Sequence, residues 1–198
     1  NNKTFYAIEG SIFTAGSLVQ WLRDQLGIIS NATEIESLAS TVKDSGGVTF
    51  IPALSGLGAP YWNPKATGSI LGITRGTEKG HIARAALEGI AIRTYEIIQN
   101  MQKDANTQFT NLKVDGGASN NNLLMQIQCN IIDANVIRPV ITETTALGVG
   151  YLAGLGSGYW KSIEDLKNIW KHDRKFIPEI SNKENILSKW KETINVLY

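Results

Sequence analysis

Leu18, Val19, Trp21, Leu22 and Leu26 recur at helical spacing up to Gly27, which predicts a helix with a glycine stop. Ahead of it, Thr4 to Ile8 places Phe, Tyr and Ile in an extended-favouring run that predicts a strand. A weaker helix is predicted over about Thr33 to Thr41. Val48 to Leu54 reads as a strand in which Pro52 demands an edge position or an early end. Glycines and prolines around Tyr61-Trp62 make Ser55 to Gly68 a structured loop, followed by a short strand from Ser69 to Ile73 and a turn over Thr74 to Thr77. The strongest periodicity runs from His81 to Met101, where Ile82, Ala85, Ala86, Ile90, Ile97, Ile98 and Met101 share a broad apolar face and Arg84 and Glu88 stand at i,i+4.

The pattern then repeats at shorter range. Leu112 to Val114 predicts a strand, Asn120 to Asp133 a helix with Leu123, Leu124, Ile127 and Ile131 on one stripe, and Ala134 to Val140 another strand. A glycine- and alanine-rich helix, capped by Thr144 or Thr145, is expected to run to about Leu155 and to pack closely against a neighbour. Lys171 to Lys175, mixed in sign, reads as a solvated turn. Ser162-x-x-Asp165 and Ser181-x-x-Glu184 are capping boxes, the second opening an amphipathic helix with Ile186, Leu187, Trp190, Ile194 and Leu197 inward. Alternating strands and helices without a linker predict one α/β domain, or most of one.

Composition narrows the function. Of 198 residues, 19 are Lys or Arg and 18 Asp or Glu, a net charge of +1 that argues against a dedicated nucleic-acid binder. Cys129 is the single cysteine, which excludes an internal disulfide and fits a reducing compartment. With only His81 and His172 besides, no zinc-type cluster is expected. The longest uncharged run, Ser45 to Pro64, is broken by three prolines, so no membrane insertion is expected and a cytoplasmic location is. The chain opens on Asn1 without a lead-in to its first strand-like run, and is expected to be a piece of a longer protein.

Chemistry concentrates at two glycine turns. In Val114-Asp115-Gly116-Gly117-Ala118 followed by Ser119, Asn120, Asn121 and Asn122, adjacent glycines at a strand's carboxyl end let backbone lie against a ligand. The next helix then offers N–H groups and a positive dipole end. The asparagines supply donors and acceptors suited to adenine or ribose. The alternative is a plain strand-to-helix turn capped by Asn. Gly68 to Thr77, with its turn at Gly76, repeats the arrangement before the long helix, and there a tight turn with a solvated Arg75 is the competing explanation. His81 is expected near a helix cap, Cys129 in packing, Trp190 on a docking face and Tyr61-Trp62 as an anchor for its loop.

These residues resemble the carboxyl-terminal domain of the glycerol kinases. Gly56 to Thr77 (GLGAPYWNPKATGSILGITRGT) carries the resemblance with Tyr6 to Gly10, Gln20 to Asp24, Val114 to Ala118 and Glu143 to Gly148, in order and with unbroken spacing from Gly68 to Glu88. The resemblance extends from about Phe5 to Trp190 and loosens in the tail. It implies an α/β domain of the ribonuclease H-like, actin-like ATPase fold, a mixed sheet with flanking helices, spanning residues 1–198 as the nucleotide-side domain of a two-domain kinase. It also implies transfer of the ATP γ-phosphate to glycerol with Mg²⁺, and a homo-oligomer. Gly76, Gly116 and Gly117 are the implied nucleotide contacts, and Asn121 the residue at the adenine. Many members carry Gln or Asn four residues beyond the position of Gly76, where this chain has Gly80.

The resemblance assigns no catalytic residue and no metal ligand to this chain. The family's catalytic aspartate, its glycerol-binding residues and its amino-terminal phosphate loop lie upstream of Asn1, so the fragment alone is expected to be inactive. Two alternatives stand beside glycerol kinase: another carbohydrate kinase acting on a pentose or gluconate, and a non-catalytic module that binds nucleotide or oligomerises.

Overall fold

The computed structural model describes residues 4, 6–179 and 182–198. Helix α1 (Gly16–Asp24) buries Leu18 and Leu22, one turn apart, and the chain leaves it through Gly27 at φ 63°. Helix α2 (Glu34–Ala39) buries Ile35 and Ala39 in the same way. Strand β1 (Thr49–Ile51) is wholly buried and ends before Pro52, which has no N–H for a further rung. It pairs antiparallel with β2 (Ser69–Leu71), Phe50 opposite Ile70.

Helix α3 (Lys79–Ala105) is the spine of the molecule. A capping box between Glu78 and His81 starts it, with Glu78 N donating to His81 Nδ1 at 3.0 Å, and Asn106 in the left-handed region ends it. Its midpoint lies directly on β1: a Cβ added at Gly89 would stand 2.4 Å from Phe50 O. Only glycine permits that approach.

Beyond α3 the chain forms β3 (Asn111–Lys113), a 3-10 turn (Gly117–Asn120), α4 (Asn122–Ile132) and β4 (Asn135–Pro139). Strands β3 and β4 pair in parallel around α4, whose buried Leu124, Ile127 and Ile131 pack into the core. Helices α5 (Thr144–Gly156) and α6 (Ile163–Ile169) follow, then β5 (His172–Phe176), which pairs antiparallel with β4 to complete a mixed sheet ordered β3-β4-β5. Helix α7 (Lys183–Leu197) buries Trp190 and Ile194, with Ile186, Leu187 and Leu197 packed around them. The Trp190 indole donates to Glu96 of α3 at 2.9 Å.

Four expectations change. Lys171 to Lys175 is not a turn but most of β5: Val136 fixes the register opposite Phe176, and Arg138 holds Asp173 at 2.7 Å across the strands. The exposed strand has no apolar alternation to announce it. Glu143, not a threonine, precedes α5, because the Thr144 hydroxyl bonds Asp115 instead. The small residues of α5 allow close packing only near its end, where an added Cβ at Gly154 would strike the Trp160 ring; none of its residues is buried, and added Cβ atoms at Gly148, Gly150 and Gly156 meet nothing within 4 Å. Thr4 and Tyr6 to Ile8 form no strand, Phe5 lying outside the described residues. Ser181 of the second capping box also lies outside them, while the Ser162–Asp165 box is present at α6. No helix among the described residues is long and apolar enough to cross a membrane.

Candidate functional site

Backbone pairing shapes the glycine turn after β3. Val114 N donates to Ile137 O at 3.0 Å, and Gly116 N to Thr142 O at 2.8 Å. Gly116 then turns with φ 73°, a conformation that favours glycine. Buried Ser119 closes the turn, its hydroxyl donating to Gly116 O at 2.7 Å, and Arg138 Nη1 donates to Ser119 O at 2.9 Å. Asn121 caps α4 by accepting from Leu124 N at 2.8 Å. That bond uses its side-chain carbonyl and leaves the amide NH₂ for a ligand.

The turn forms one wall of a cavity of about 340 Å³. Gly117, Ala118, Asn120 and Asn121 line it on one side, and Gly16, Val19 and Gln20 of α1 on another. Ala32 and Thr33, Ile35 and Glu36 of α2, Leu87 and Ile90 of α3 and Leu124 of α4 complete it. An apolar floor with a few polar groups at its mouth is the usual form of a small-molecule site. At Gly16 and Gly117 an added Cβ would meet no atom of the chain within 4 Å, and neither has a positive φ. The fold therefore does not require glycine at either position, whereas a ligand lying against the backbone does.

Of the residues anticipated from sequence, Gly117 and Asn121 share this cavity and Gly116 supplies its bend. Gly76 does not line it. Gly76 sits in an exposed turn tied by Thr74, whose hydroxyl accepts from Gly76 N at 3.3 Å, and by Thr77, whose hydroxyl accepts from Thr74 N at 2.9 Å. An added Cβ there meets only Thr74 Oγ1, at 3.9 Å. Gly16, Gln20 and Glu36 were not anticipated. Gly16 looks locally like part of a helix lead-in and Gln20 and Glu36 like solvated helix positions, and nothing short of the fold joins them to residues a hundred positions on.

The other singled-out residues have structural work. His81 caps α3. Cys129 is fully buried, its thiol pushed up by desolvation and within 3.2 Å of Ala134 O. Tyr61 donates to Glu96 beneath Arg93, whose guanidinium also holds Ala59 O at 2.6 Å, so Tyr61 anchors the loop as expected, whereas Trp62 is exposed. A second cavity, about 650 Å³, lies between β1, α3 and α7. Its central groups are already paired, Arg84 Nε standing 3.1 Å from Glu88. The smaller cavity is the better candidate, because its glycines are otherwise unexplained.

Known proteins agree in family and in fold. A glycerol kinase of Saccharolobus islandicus (strain M.14.25) is 56% identical over 195 residues, which cover 98% of this chain and 39% of that protein. Glycerol kinase 2 of Thermotoga maritima is 54% identical over 197 residues, 98% of this chain and 40% of that protein. The chain thus spans about two-fifths of the length of the curated relatives it matches. The crystal structure of Plasmodium falciparum glycerol kinase with ADP superposes with a TM-score of 0.84 at 33% identity, over 92% of this chain and 37% of that one. A ligand-bound xylulose kinase from Lactobacillus acidophilus, 24% identical with a TM-score of 0.79 over 93% of this chain and 38% of its own, shares the fold, the actin-like ATPase architecture of these kinases. The model of the FGGY family of carbohydrate kinases, C-terminal domain, matches residues 1–157, and the chain belongs to that family.

Proposed function

We propose that residues 1–198 form the nucleotide-side domain of an ATP-dependent glycerol kinase, with the adenine nucleotide held in the cavity between α1 and the Gly116–Gly117 turn. One observation carries the proposal: two glycines from distant parts of the chain, Gly16 and Gly117, face the same cavity with no steric reason of their own to be glycine. A planar base or a sugar pressed against those backbones supplies the reason. Gln20 and the Asn121 amide then provide polar contacts, and Leu87 and Ile90 the apolar floor. Identities of 54–56% with glycerol kinases favour glycerol over a pentose or gluconate as acceptor.

Gly76 remains in the proposal as an open turn ahead of α3, outside the cavity lining, where backbone can approach a ligand without hindrance from a side chain. Mg²⁺ is required by the proposed reaction, and the proposal places its ligands mainly outside this chain. Among the described residues no three His, Cys, Asp or Glu side chains cluster to hold a metal. The proposal assigns the ion and the proton-accepting base to the rest of the kinase, and the residues described here bind and orient. Because phosphoryl transfer depends on positioning and charge stabilisation together, the domain by itself is expected to be inactive. A homo-oligomeric enzyme in the cytoplasm, where Cys129 stays reduced, completes the proposal.

Calorimetry of the 198-residue chain with ADP, beside a coupled glycerol phosphorylation assay, tests both halves. Weak ADP binding without turnover is expected. Turnover by the chain alone defeats the domain assignment, and absence of ADP binding defeats the nucleotide site. Light scattering with and without ADP separates this function from a pure oligomerisation module, which would ignore the nucleotide.

A further inference from the structure

A helix N-terminus beside a nucleotide cavity ordinarily offers free N–H groups and partial positive charge to a phosphate. At α4 those groups are taken. Asn122 N donates to Glu36 Oε2 at 3.1 Å and Leu123 N to Glu36 Oε1 at 3.3 Å, so one carboxylate from α2 spans both. Leu124 N donates to the Asn121 side chain at 2.8 Å, and Met125 N to the Asn121 carbonyl at 3.1 Å. The first turn of α4 has no N–H left over. In addition, a negative charge occupies the place where a phosphate would be drawn, and that same residue lines the cavity shared by Gly117 and Asn121.

We propose that Glu36 is a positioning residue for the nucleotide. Its two bonds clamp the start of α4 and so hold Asn121, which begins that helix, at a fixed place in the cavity wall. Its charge repels phosphate from the α4 end. The nucleoside end of the ligand is thereby directed to Asn121 and the phosphates away from it. Glu36 thus acts through Asn121 and through the field, not by reacting. The inference rests on the nucleotide assignment above and adds what decides the direction in which the ligand lies.

Glu36→Gln keeps the shape and one acceptor but removes the charge. Titration calorimetry of the 198-residue chain and this variant with adenosine and with inorganic pyrophosphate reads the two ends of the ligand separately. In the variant adenosine is expected to bind about fivefold more weakly and pyrophosphate about threefold more tightly. A merely structural Glu36 would weaken both together or neither. Any result in which pyrophosphate does not gain while adenosine loses overturns the inference, and binding of neither adenosine nor ADP to the unaltered chain overturns the nucleotide assignment itself. Should the variant not fold, amide shifts in the unaltered chain decide. Adenosine is expected to move the Asn122 and Leu123 signals and pyrophosphate to leave them; the reverse pattern overturns the inference.

Discussion

Adding side-chain carbon to two glycines of this chain has opposite expected consequences. At Gly89 in α3, a Cβ would lie 2.4 Å from the Phe50 carbonyl oxygen of β1, and backbone cannot swing aside as a side-chain tip can. Gly89→Ala is expected to destabilise the fold, because overpacking of about 1–3 kcal/mol exceeds the roughly 1 kcal/mol that alanine contributes to a helix. At Gly117 nothing of the chain lies within 4 Å. Gly117→Val should change stability by less than about 0.5 kcal/mol, yet weaken ADP binding about tenfold or more by filling the cavity. Urea denaturation and calorimetry measure the two effects independently. Equal ADP affinity in Gly117→Val and the unaltered chain would remove this glycine from the site.

Residue-scale legibility followed the same division. Gly116 and Gly117 stand out in sequence because adjacent glycines after a strand are a local signal, and Asn121 stands out as a cap. Gln20 and Glu36 carry no such mark, since a polar residue on a helix has the same local pattern whether it faces solvent or a cavity. Gly76 shows the limit of the signal: its local pattern matches Gly117, but its turn closes on Thr74 and Thr77 and does not line the cavity.

Among the elements, those with a buried face were legible from their spacing; without one, α5 and the start of α6 were legible from composition and caps, but β5 was not. Helices α1, α3, α4 and α7 fall where apolar spacing places them, because burial imposes the periodicity. Strand β5 leaves four of its five residues exposed, so only its pairing with β4 makes it a strand. Helix α5 is apolar and small-residued but buries nothing among the described residues. The docking of α7 is the element-scale contact most open to measurement. Its Trp190 indole donates to Glu96, a carboxylate that also accepts from Tyr61 and Arg93. Trp190→Phe removes the donor together with part of the buried ring system. A loss of about 1–3 kcal/mol is expected, readable as a lowered urea midpoint with the slope unchanged; no change would mean that the indole bond contributes nothing net.

For the molecule as a whole, one buried carboxyl shapes the pH dependence of stability. Burial raises the pKa of Glu88 above its ordinary 4.5, outweighing the hydrogen bond to Ser45 and the pairing with Arg84. The folded chain therefore holds that proton more tightly than the unfolded chain does. Glu88's contribution is fully present below 4.5 and is lost as pH rises from there through the folded value. Glu88→Gln cannot lose a proton. Subtracting the two urea-derived stability curves between pH 4 and about 8 should give a difference that moves in the variant's favour as pH rises, then levels off. A flat difference would mean that Glu88 titrates alike in both states.

The amino-acid order alone determined the α/β class, the helices with buried stripes, the glycine turn at Gly116–Gly117 and the motifs shared with glycerol kinases. Each of these depends on neighbours a few residues apart, where spacing is itself the physical constraint. Tertiary structure alone decided that α1 and α2 meet the Gly117 turn, that Glu36 takes the N–H groups expected to be open at α4, that Gly76 stands outside the cavity, and that β5 is a strand. Those outcomes depend on contacts between segments far apart in the chain. Their geometry is set by packing on α3 and by the register of the mixed sheet, neither of which any short stretch of residues encodes.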